Sequence, residues 1–435
     1  MIRVLIVSTT EKRGGAALAA HRLMEALNGN GAEASMLVGE RKTSDAHVAE
    51  LPSPKRHRLH FLWERLTIFF HLRFQRERLF QIDIANAGTD ITKLPAFREA
   101  DVIHLHWINQ GLLSLKGIRR IIDSGKPVVW TMHDLWPASS ICHYARGCEH
   151  YLDICKSCPL LHPAVKDDST PKNDLSTKVW HKKERMLALA VKDNRRMAFV
   201  ACSQWLEGEA RKSALLKGLT VTSIPNPIDV SLFHPIDKIQ SRRALHLPEQ
   251  GRIILFVSQR VTDERKGIQY LIDAVDEMAR NQPSLKLNTH IAILGGEAEE
   301  VASRLAFPSH PLGYISDPAT IAQVYNAADV FVTPSLEDNL PNTIMEAMAC
   351  GVPCVGFRVG GIPEMISHRQ TGYVATFADS HDLSKGLTWI LSEANSEELS
   401  KASLKKVAAC YSQASVAHRY MQLYEQLLSS QHSKP

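Results

Sequence analysis

Short runs of apolar and β-branched residues recur along this chain, and a helical pattern follows most of them. Such alternation predicts an α/β fold in which parallel sheets are connected by helices. Ile2–Val7 is the first run, and Gly14-Gly15 opens the helix predicted after it, Ala16–Leu27. Further strands are predicted at Val102–His106, Val128–Met132, Met197–Cys202, Thr220–Ile224, Ile253–Val257, Ile291–Leu294, Ala327–Val332 and Val352–Phe357.

The domain organisation follows from a stretch without periodicity, residues 229–251, which predicts a linker or hinge after the breaker sequence Pro225-Asn226-Pro227. A chain of 435 residues is long enough for two or three domains with separate cores. We predict one Rossmann-like domain at 1–228, a second at 229–410, and a helix at 411–435 that returns to the first. A ligand site is expected at the carboxyl ends of the strands.

The strongest chemical motif runs from Pro334 to Pro353. A strand is predicted to end near Thr333, and a helix begins near Pro341 after a polar turn. The N-terminus of such a helix suits a phosphate, and Glu346 in its second turn can accept hydrogen bonds from a ribose diol. A capped helix whose acidic residues only favour its positive end is the alternative, and the spacing leaves both interpretations open.

This stretch resembles the acidic signature of the retaining glycosyltransferases of family four, which have the GT-B fold. Asp338 and Glu346 have the spacing of the two acids in that signature, although the first acid is usually Glu, and Glu337 is the alternative. The resemblance implies two Rossmann-like domains that face an interdomain cleft, with Asp338 and Glu346 in catalysis. It also implies contacts to the nucleotide sugar from Asn339, Leu340, Pro341 and Asn342.

Arg260 and Lys266 form the second motif, six residues apart between a predicted strand and helix. Two such cations can clamp a diphosphate, and a solvated run of charges is the alternative. The segment resembles the Gly-Arg-Leu…Lys-Gly segment of the same family, which implies that both cations bind the donor diphosphate. The resemblance also places Gly14-Gly15 near the phosphates and acceptor, and His133 near the transferred sugar. No cofactor is then required for catalysis.

Four of the eight cysteines lie within 17 residues, at Cys142, Cys148, Cys155 and Cys158. The last two have the C-x₂-C spacing of a zinc knuckle, which predicts a structural zinc. Four small thiols that are buried or unpaired are the alternative. This Cys-rich insert, 142–158, also resembles a subgroup of colanic-acid type that acts in bacterial exopolysaccharide assembly.

A basic-aromatic segment, residues 55–80, holds seven Lys or Arg and two Glu, and it accounts for the whole formal net charge of +5. Because the rest of the chain is neutral, nucleic acid is not an expected partner. A membrane-surface contact is predicted from a helical face that carries Leu59, Leu62, Trp63, Leu66, Phe69, Phe70 and Phe74, flanked by Arg58, Arg65 and Arg76. Phe61, Ile68 and Leu72 fall on the opposite, polar side. A helix whose aromatic residues are core is the alternative.

Together the motifs predict a retaining glycosyltransferase of the hexosyltransferase type. It would move a sugar from a nucleotide-diphosphate sugar to a lipid-linked saccharide acceptor in bacterial surface polysaccharide biosynthesis. The alternatives are a GT-B nucleotide-sugar epimerase or hydrolase, and a non-catalytic zinc-dependent scaffold of a polysaccharide assembly complex. Without a signal peptide or an apolar run of spanning length, a cytoplasmic protein is expected, peripheral on the inner face of the plasma membrane.

Overall fold

The computed structural model describes residues 1–162, 173–193 and 196–432. The chain divides into two compact units, one of Met1–Pro225 with Val416–Pro435 and one of Asn226–Ser415. The predicted boundary at residue 228 lies three residues beyond Pro225, and residues 433–435 of the predicted final segment lie outside the described residues. Of the helices in the described ranges, none is long and apolar enough to cross a bilayer.

A seven-stranded sheet forms the centre of the first unit, with the strand order β3-β2-β1-β4-β5-β6-β7. Its strands are β1 (Ile2–Thr10), β2 (Ala32–Glu40), β3 (Val48–Glu50), β4 (Val102–Leu105), β5 (Val128–Met132), β6 (Met197–Ala201) and β7 (Thr220–Ser223). Every adjacent pair is parallel, so the carboxyl ends of all seven strands lie at one edge.

Helices cover both faces of this sheet. They are α1 (Gly15–Asn28), α2 (Pro54–His71), α3 (Pro95–Glu99), α4 (Leu115–Asp123), α5 (Leu175–Lys192) and α6 (Gln204–Lys212). Leu5 and Val7 pack into one core, whereas Val4 and Ile6 pack into the other, because successive side chains of a strand point to opposite faces. Burial on both faces explains why the central strands are continuous apolar runs in the sequence.

The second unit repeats this plan with a six-stranded parallel sheet in the order β10-β9-β8-β11-β12-β13. Its strands are β8 (Arg252–Arg260), β9 (Thr289–Gly296), β10 (Ser309–Gly313), β11 (Val330–Thr333), β12 (Cys354–Phe357) and β13 (Gly372–Ala375). Its helices are α7 (Lys238–Ala244), α8 (Ile268–Asn281), α9 (Pro283–Lys286), α10 (Ala298–Ala302), α11 (Pro318–Ala327), α12 (Asn342–Ala349), α13 (Ile362–Met365), α14 (Ser380–Ser392) and α15 (Ser396–Cys410).

The last helix, α16 (Gln413–His432), belongs to the first unit from Val416 onwards. Its Tyr424 hydroxyl lies 2.7 Å from Nδ1 of His104 on β4, and its Tyr420 hydroxyl lies 2.8 Å from the hydroxyl of Thr131 on β5. Both tyrosines are buried in the same core as β1. The core on one face of the first sheet is therefore completed by α16, a helix that follows the whole second unit in the sequence.

The linker predicted at residues 229–251 is wrong, because this stretch packs into the second unit. It contains α7, and the buried Arg242 side chain donates to the Ala327 carbonyl over 2.9 Å and to an Asp329 carboxylate oxygen over 2.7 Å. Polar contacts hold this segment, so it lacks the apolar period that would have indicated structure. The strand predicted from Ala327 begins three residues later, at Val330, because Ala327 ends α11.

Helix α2 corrects the assignment of faces in the basic-aromatic segment. The helical pattern of the sequence placed Ile68 and Leu72 on the polar side, but both are buried in the core of the first unit. Arg65, predicted to flank the membrane face, is 5% exposed and forms an ion pair with Asp83. The helical pattern was ambiguous because the helix carries apolar residues on two opposite faces. The burial of Ile68 shows which of these faces packs into the core.

Candidate active site

The loop after β8 contacts the loop after β11 at the carboxyl end of the second sheet. The Leu336 amide donates to the Arg265 carbonyl over 2.7 Å. Lys266 Nζ lies 2.6 Å from a carboxylate oxygen of Asp338, and the two side chains are 29% and 14% exposed. The structure thus brings together the predicted diphosphate-binding lysine and the predicted first acid of the signature.

Two glycines allow these loops to approach each other. Gly267 has a φ of 67°, and a Cβ there would lie 1.9 Å from the Pro334 carbonyl oxygen. Gly360 has a φ of 53°, and a Cβ there would lie 1.7 Å from the Asp338 carbonyl oxygen. Because no other residue fits either position, the loops after β8, β11 and β12 meet backbone to backbone.

Helix α12 begins directly after this junction. Pro341 precedes its first residue, Asn342, whose side-chain oxygen accepts a hydrogen bond of 3.2 Å from Asn226. A proline side chain offers no acceptor for the amides of the first turn, and this end of a helix carries a positive partial charge. Asn339 and Leu340, predicted to contact the nucleotide sugar, are both buried in this turn.

Glu346 lies in the second turn of α12, as predicted, and a residue of α11 orients it. The Tyr325 hydroxyl donates to Glu346 Oε2 over 2.9 Å. Tyr325 is fully buried and Glu346 is 7% exposed. A carboxylate with so little access to water requires hydrogen-bond donors as its partners, because it can only accept.

Arg260 ends β8 and pairs with a residue that follows β9. Its Nε lies 2.9 Å from a carboxylate oxygen of Glu297, and its side chain is 69% exposed. The hydrogen bond and the charge of Glu297 raise the pKa of Arg260 above its ordinary value. The two predicted diphosphate-binding cations therefore have different carboxylate partners, Lys266 with Asp338 and Arg260 with Glu297.

In the first unit, Gly14 and Gly15 lie where β1 leads into α1. Gly14 has a φ of 89°, which favours glycine, and α1 begins at Gly15. Glu11, which lies directly after β1, is buried and accepts a hydrogen bond of 2.9 Å from the Thr43 amide. This bond joins the loops that follow β1 and β2.

His133 follows β5 and lies beside His106, which follows β4. His106 Nδ1 is 3.0 Å from His133 Nε2, and His133 Nδ1 is 3.4 Å from the Cys202 sulfur. Burial lowers the pKa of His133 to about 4 and lowers the pKa of His106 well below its ordinary value. Both imidazoles are therefore neutral at pH 7.

Asp134, the residue next to His133, is held by a series of connected ion pairs. An Asp134 carboxylate oxygen lies 2.7 Å from His143 Nδ1 and accepts a hydrogen bond of 3.3 Å from Trp107 Nε1. His143 Nε2 lies 2.6 Å from Asp83, which also pairs with Arg65. Burial alone would lower the pKa of His143, but the two carboxylates outweigh it and raise the pKa to about 10. A charged imidazolium thus holds Asp134, and Asp134 fixes the Trp107 ring.

The four clustered cysteines are free, with Cys155 and Cys158 buried and Cys142 and Cys148 half-buried. Burial raises the pKa of Cys142 and Cys155, and it raises the pKa of Cys158 to about 12. Across the described ranges, no three His, Cys, Asp or Glu side chains are grouped so that they could hold a metal ion. The structural zinc stays a prediction, which metal analysis of the purified protein decides.

Five residues of these clusters were not singled out by the sequence patterns: Asp83, His106, Trp107, Glu297 and Tyr325. The sequence held a signal for three of them. Glu297 follows Gly295-Gly296, which come directly after a predicted strand. His106 ends another predicted strand and Trp107 follows it, so all three lie at the edge where parallel sheets bind ligands. Asp83 and Tyr325 carried no such signal, because tertiary folding alone brings them to His143 and Glu346.

Comparison with known proteins identifies the family. Residues 13–232 match the family described as Glycosyltransferase Family 4, and residues 251–393 match the family described as Glycosyl transferases group 1. The chain belongs to glycosyltransferase family 4.

Two kinds of relative illustrate the range of this family. A D-inositol 3-phosphate glycosyltransferase of Thermobispora bispora is 26% identical over 223 residues, which are 49% of this chain and 52% of that protein. An N-acetyl-alpha-D-glucosaminyl L-malate synthase of Bacillus anthracis is 25% identical over 165 residues, 37% of this chain and 41% of that protein. The chain thus spans about half the length, or less, of these curated relatives.

Solved structures show the same fold over nearly the whole chain. Sucrose-phosphate synthase from Thermosynechococcus elongatus has a TM-score of 0.64 at 19% identity and covers 99% of this chain and 100% of its own. Anabaena HepE, solved with UDP and glucose, has a TM-score of 0.60 at 16% identity and covers 98% and 100%. With two parallel-sheet, Rossmann-like units, the fold is GT-B.

Proposed function

We propose that this protein is a retaining glycosyltransferase that moves a sugar from a nucleotide-diphosphate sugar to a lipid-linked saccharide acceptor in bacterial surface polysaccharide biosynthesis. Membership of glycosyltransferase family 4 supports the class of reaction. The observation that carries the donor assignment is the Lys266–Asp338 pair, beside the start of α12.

Lys266 and the N-terminus of α12 provide positive charge where a donor diphosphate would need it. The Lys266 side chain is 29% exposed, and its ammonium group is balanced by Asp338. A diphosphate can replace this carboxylate as the partner of Lys266, which leaves Asp338 able to accept hydrogen bonds from sugar hydroxyls. The exposed Arg260 side chain supplies a second cation once its guanidinium group separates from the Glu297 carboxylate.

Glu346 is proposed to bind the ribose diol. Its carboxylate is fixed by Tyr325 at 2.9 Å and has little contact with water, so two ribose hydroxyls would be strongly preferred partners. HepE of Anabaena, which shares the fold, was solved with UDP and glucose. A nucleoside diphosphate carries both groups that these residues suit, a ribose diol and a diphosphate.

In the proposed reaction, the bond between the anomeric carbon and the diphosphate oxygen breaks, and the acceptor oxygen bonds to that carbon on the same face. The acceptor hydroxyl proton passes to the departing phosphate oxygen, so no separate base is required. Lys266, Arg260 and the α12 N-terminus stabilise the developing charge on the diphosphate. His133 is proposed to contact the transferred sugar as a neutral imidazole.

The test is a panel of nucleotide sugars offered to purified protein with and without a bacterial membrane lipid extract, with mass spectrometry as the readout. Transfer to a lipid product is expected, and it should be lost in Lys266→Ala and Glu346→Gln but kept in Lys401→Ala, which changes an exposed pair with Glu397 on α15. Nuclear magnetic resonance of the product reports whether the anomeric configuration is retained.

Three outcomes contradict the proposal. Free or epimerised sugar without acceptor would indicate a hydrolase or epimerase. Nucleotide binding without turnover of any donor would indicate a non-catalytic scaffold. Unchanged turnover in Lys266→Ala and Glu346→Gln would overturn the site assignment.

A further inference from the structure

Helix α2 presents large apolar side chains to solvent on the face opposite its buried side. Five of them are Leu59, Leu62, Trp63, Leu66 and Phe70, and they are 64, 51, 58, 46 and 56% exposed. Since each helical residue advances by about 100°, these five lie within an arc of about 100°. The buried residues Ile68 and Leu72 lie on the other side. The exposed stripe is therefore a continuous surface and contributes nothing to the core.

The stripe continues into the turn that follows α2 through Phe74, which is 62% exposed and whose ring lies 5.4 Å from the rings of both Phe69 and Phe70, edge to face. Phe80 is also 60% exposed, but its ring lies 5.4 Å from the guanidinium of the buried Arg65. Among the described residues, seven of the seventeen exposed large apolar side chains fall between residues 59 and 80. Such concentration in one short segment is unusual for a surface that only water covers.

The charge around this stripe is strongly positive. Exposed cations border it at Lys55, Arg56, Arg58, Arg73 and Arg76. Of the two acids in residues 55–80, Glu64 is buried and Glu77 is exposed. Arg65 adds nothing to this charge, because it is buried against Asp83. The apolar stripe therefore has a rim that favours an anionic partner.

We propose that this α2 face, with Phe74, inserts into the interface of an anionic lipid bilayer while its cations contact the headgroups. Amphipathic helices with basic rims and Trp or Phe on the apolar face lie in the plane of such interfaces. A second copy of the chain is a poorer fit, because a two-fold interface would bring this set of cations against itself. This proposal does not rest on the proposed function.

Co-sedimentation with vesicles tests the proposal. The wild type should bind vesicles of phosphatidylcholine mixed equally with phosphatidylglycerol, and binding should weaken with salt and be much weaker on phosphatidylcholine alone. Leu62→Ser/Trp63→Ser/Phe70→Ser removes exposed apolar groups, and Arg56→Glu/Arg58→Glu/Arg76→Glu reverses exposed charges. Each variant should bind at least about tenfold less.

A matched control separates the local surface from net charge. Lys385→Glu/Lys401→Glu/Lys405→Glu makes the same change in charge at exposed positions of the second unit and should leave binding unchanged. Circular dichroism confirms that each variant is folded. Equal binding by the Arg56/Arg58/Arg76 variant and the wild type overturns the proposal, as does a wild type that ignores anionic vesicles. If the wild type forms a dimer that the Leu62/Trp63/Phe70 variant cannot form, and the wild type does not bind vesicles, the face would be assigned to a second copy of the chain.

Discussion

Lys266 and Asp338 form an ion pair of 2.6 Å that joins the loop after β8 to the loop after β11. The pair lies at the carboxyl end of a parallel sheet, where the backbones of three loops meet because Gly267 and Gly360 carry no side chain. In the proposed donor site, a diphosphate would replace Asp338 as the partner of Lys266, and the Asp338 carboxylate could then accept hydrogen bonds from the sugar.

The Lys266–Asp338 pair predicts opposite effects for its two partners. Lys266→Ala should weaken binding of a nucleoside diphosphate and lower transfer by about 100-fold, because one charge that stabilises the leaving group is lost. Asp338→Asn should keep or strengthen that binding, since Lys266 no longer has a competing partner, while transfer still falls. Calorimetric binding and initial rates check both. Weaker nucleotide binding in Asp338→Asn would contradict this exchange.

Tyr325→Phe should act on donor binding through Glu346. The substitution removes a hydroxyl that donates to the carboxylate at 2.9 Å, so Glu346 loses its fixed orientation. Donor KM should rise about tenfold, which corresponds to one hydrogen bond to a charged group, with a smaller change in kcat. A double-mutant cycle with Glu346→Gln is the check, because the tyrosine should have little effect once the carboxylate is gone. Additive effects would contradict a positioning role.

Gly267→Ala should separate the loops of the donor site. Its Cβ would lie 1.9 Å from the Pro334 carbonyl oxygen, in addition to the strain of a φ of 67°. Gly313→Ala is a matched control, because Gly313 has a φ of 63° but a Cβ there meets no atom within 4 Å. The control should lose about 1 kcal/mol of unfolding free energy, and Gly267→Ala should lose more and bind nucleotide poorly. Equal losses in urea unfolding would show that the contact with Pro334 is unimportant.

Acid should destabilise the first unit through its buried neutral histidines. Burial lowers the pKa of His104 to about 3 and of His133 to about 4. In the unfolded chain both accept a proton near pH 6.5, so the unfolded state binds more protons below that pH and stability falls as pH drops towards 4. Each group contributes about 1.4 kcal/mol per pH unit in this window.

Urea unfolding at several pH values measures this slope. His104→Gln removes one of the titrating groups, so its unfolding free energy should fall less steeply between pH 6.5 and 4 than that of the wild type. His143 does not act in this window, because its raised pKa, about 10, keeps its contribution complete below pH 6.5 and removes it only as pH rises towards 10. An unchanged slope in His104→Gln would refute the assignment.

Arg65 should behave as a structural residue, unlike the arginines around it. Arg65→Glu would remove the Arg65 cation from the buried carboxylates Asp83 and Glu64, and Asp83 would keep only His143 as a charged partner. The loss of a buried partner costs about 3–5 kcal/mol. Arg58→Glu, at an exposed position on the same helix, should change stability by less than about 0.5 kcal/mol. Thermal unfolding of the two variants decides, and similar melting temperatures would contradict the burial of Arg65.

The central strands could be predicted from the sequence because burial on both faces makes them continuous apolar runs. β2, β3, β10 and β13 were missed for local reasons. β2 contains the polar residues Glu33 and Ser35, which interrupt its apolar run, and β3, β10 and β13 are short strands at sheet edges, with Pro311 in β10. The segment 229–251 was misassigned because polar contacts of Arg242 hold it.

In the site, the residues on one continuous motif, such as Asp338 and Glu346, could be found by spacing. Their partners could not, because Tyr325 precedes Glu346 by a whole strand and loop, and Glu297 reaches Arg260 from the neighbouring strand. Helix α2 shows a further limit. A helix that is apolar on two sides gives one pattern for two environments, and only the packing of Ile68 and the burial of Arg65 distinguish the core side.

The position of α16 in the first unit has a consequence for the order of folding during translation. The ribosome makes β1 long before α16, yet the core that contains β1 also includes Tyr420 and Tyr424 of that helix. Until these residues leave the exit tunnel, His104 and Thr131 lack their tyrosine partners, and α1 covers this face of the first sheet without α16. The second unit, complete at Ser415, is then free to fold before the first is finished. The first unit thus closes only after the second has been synthesised.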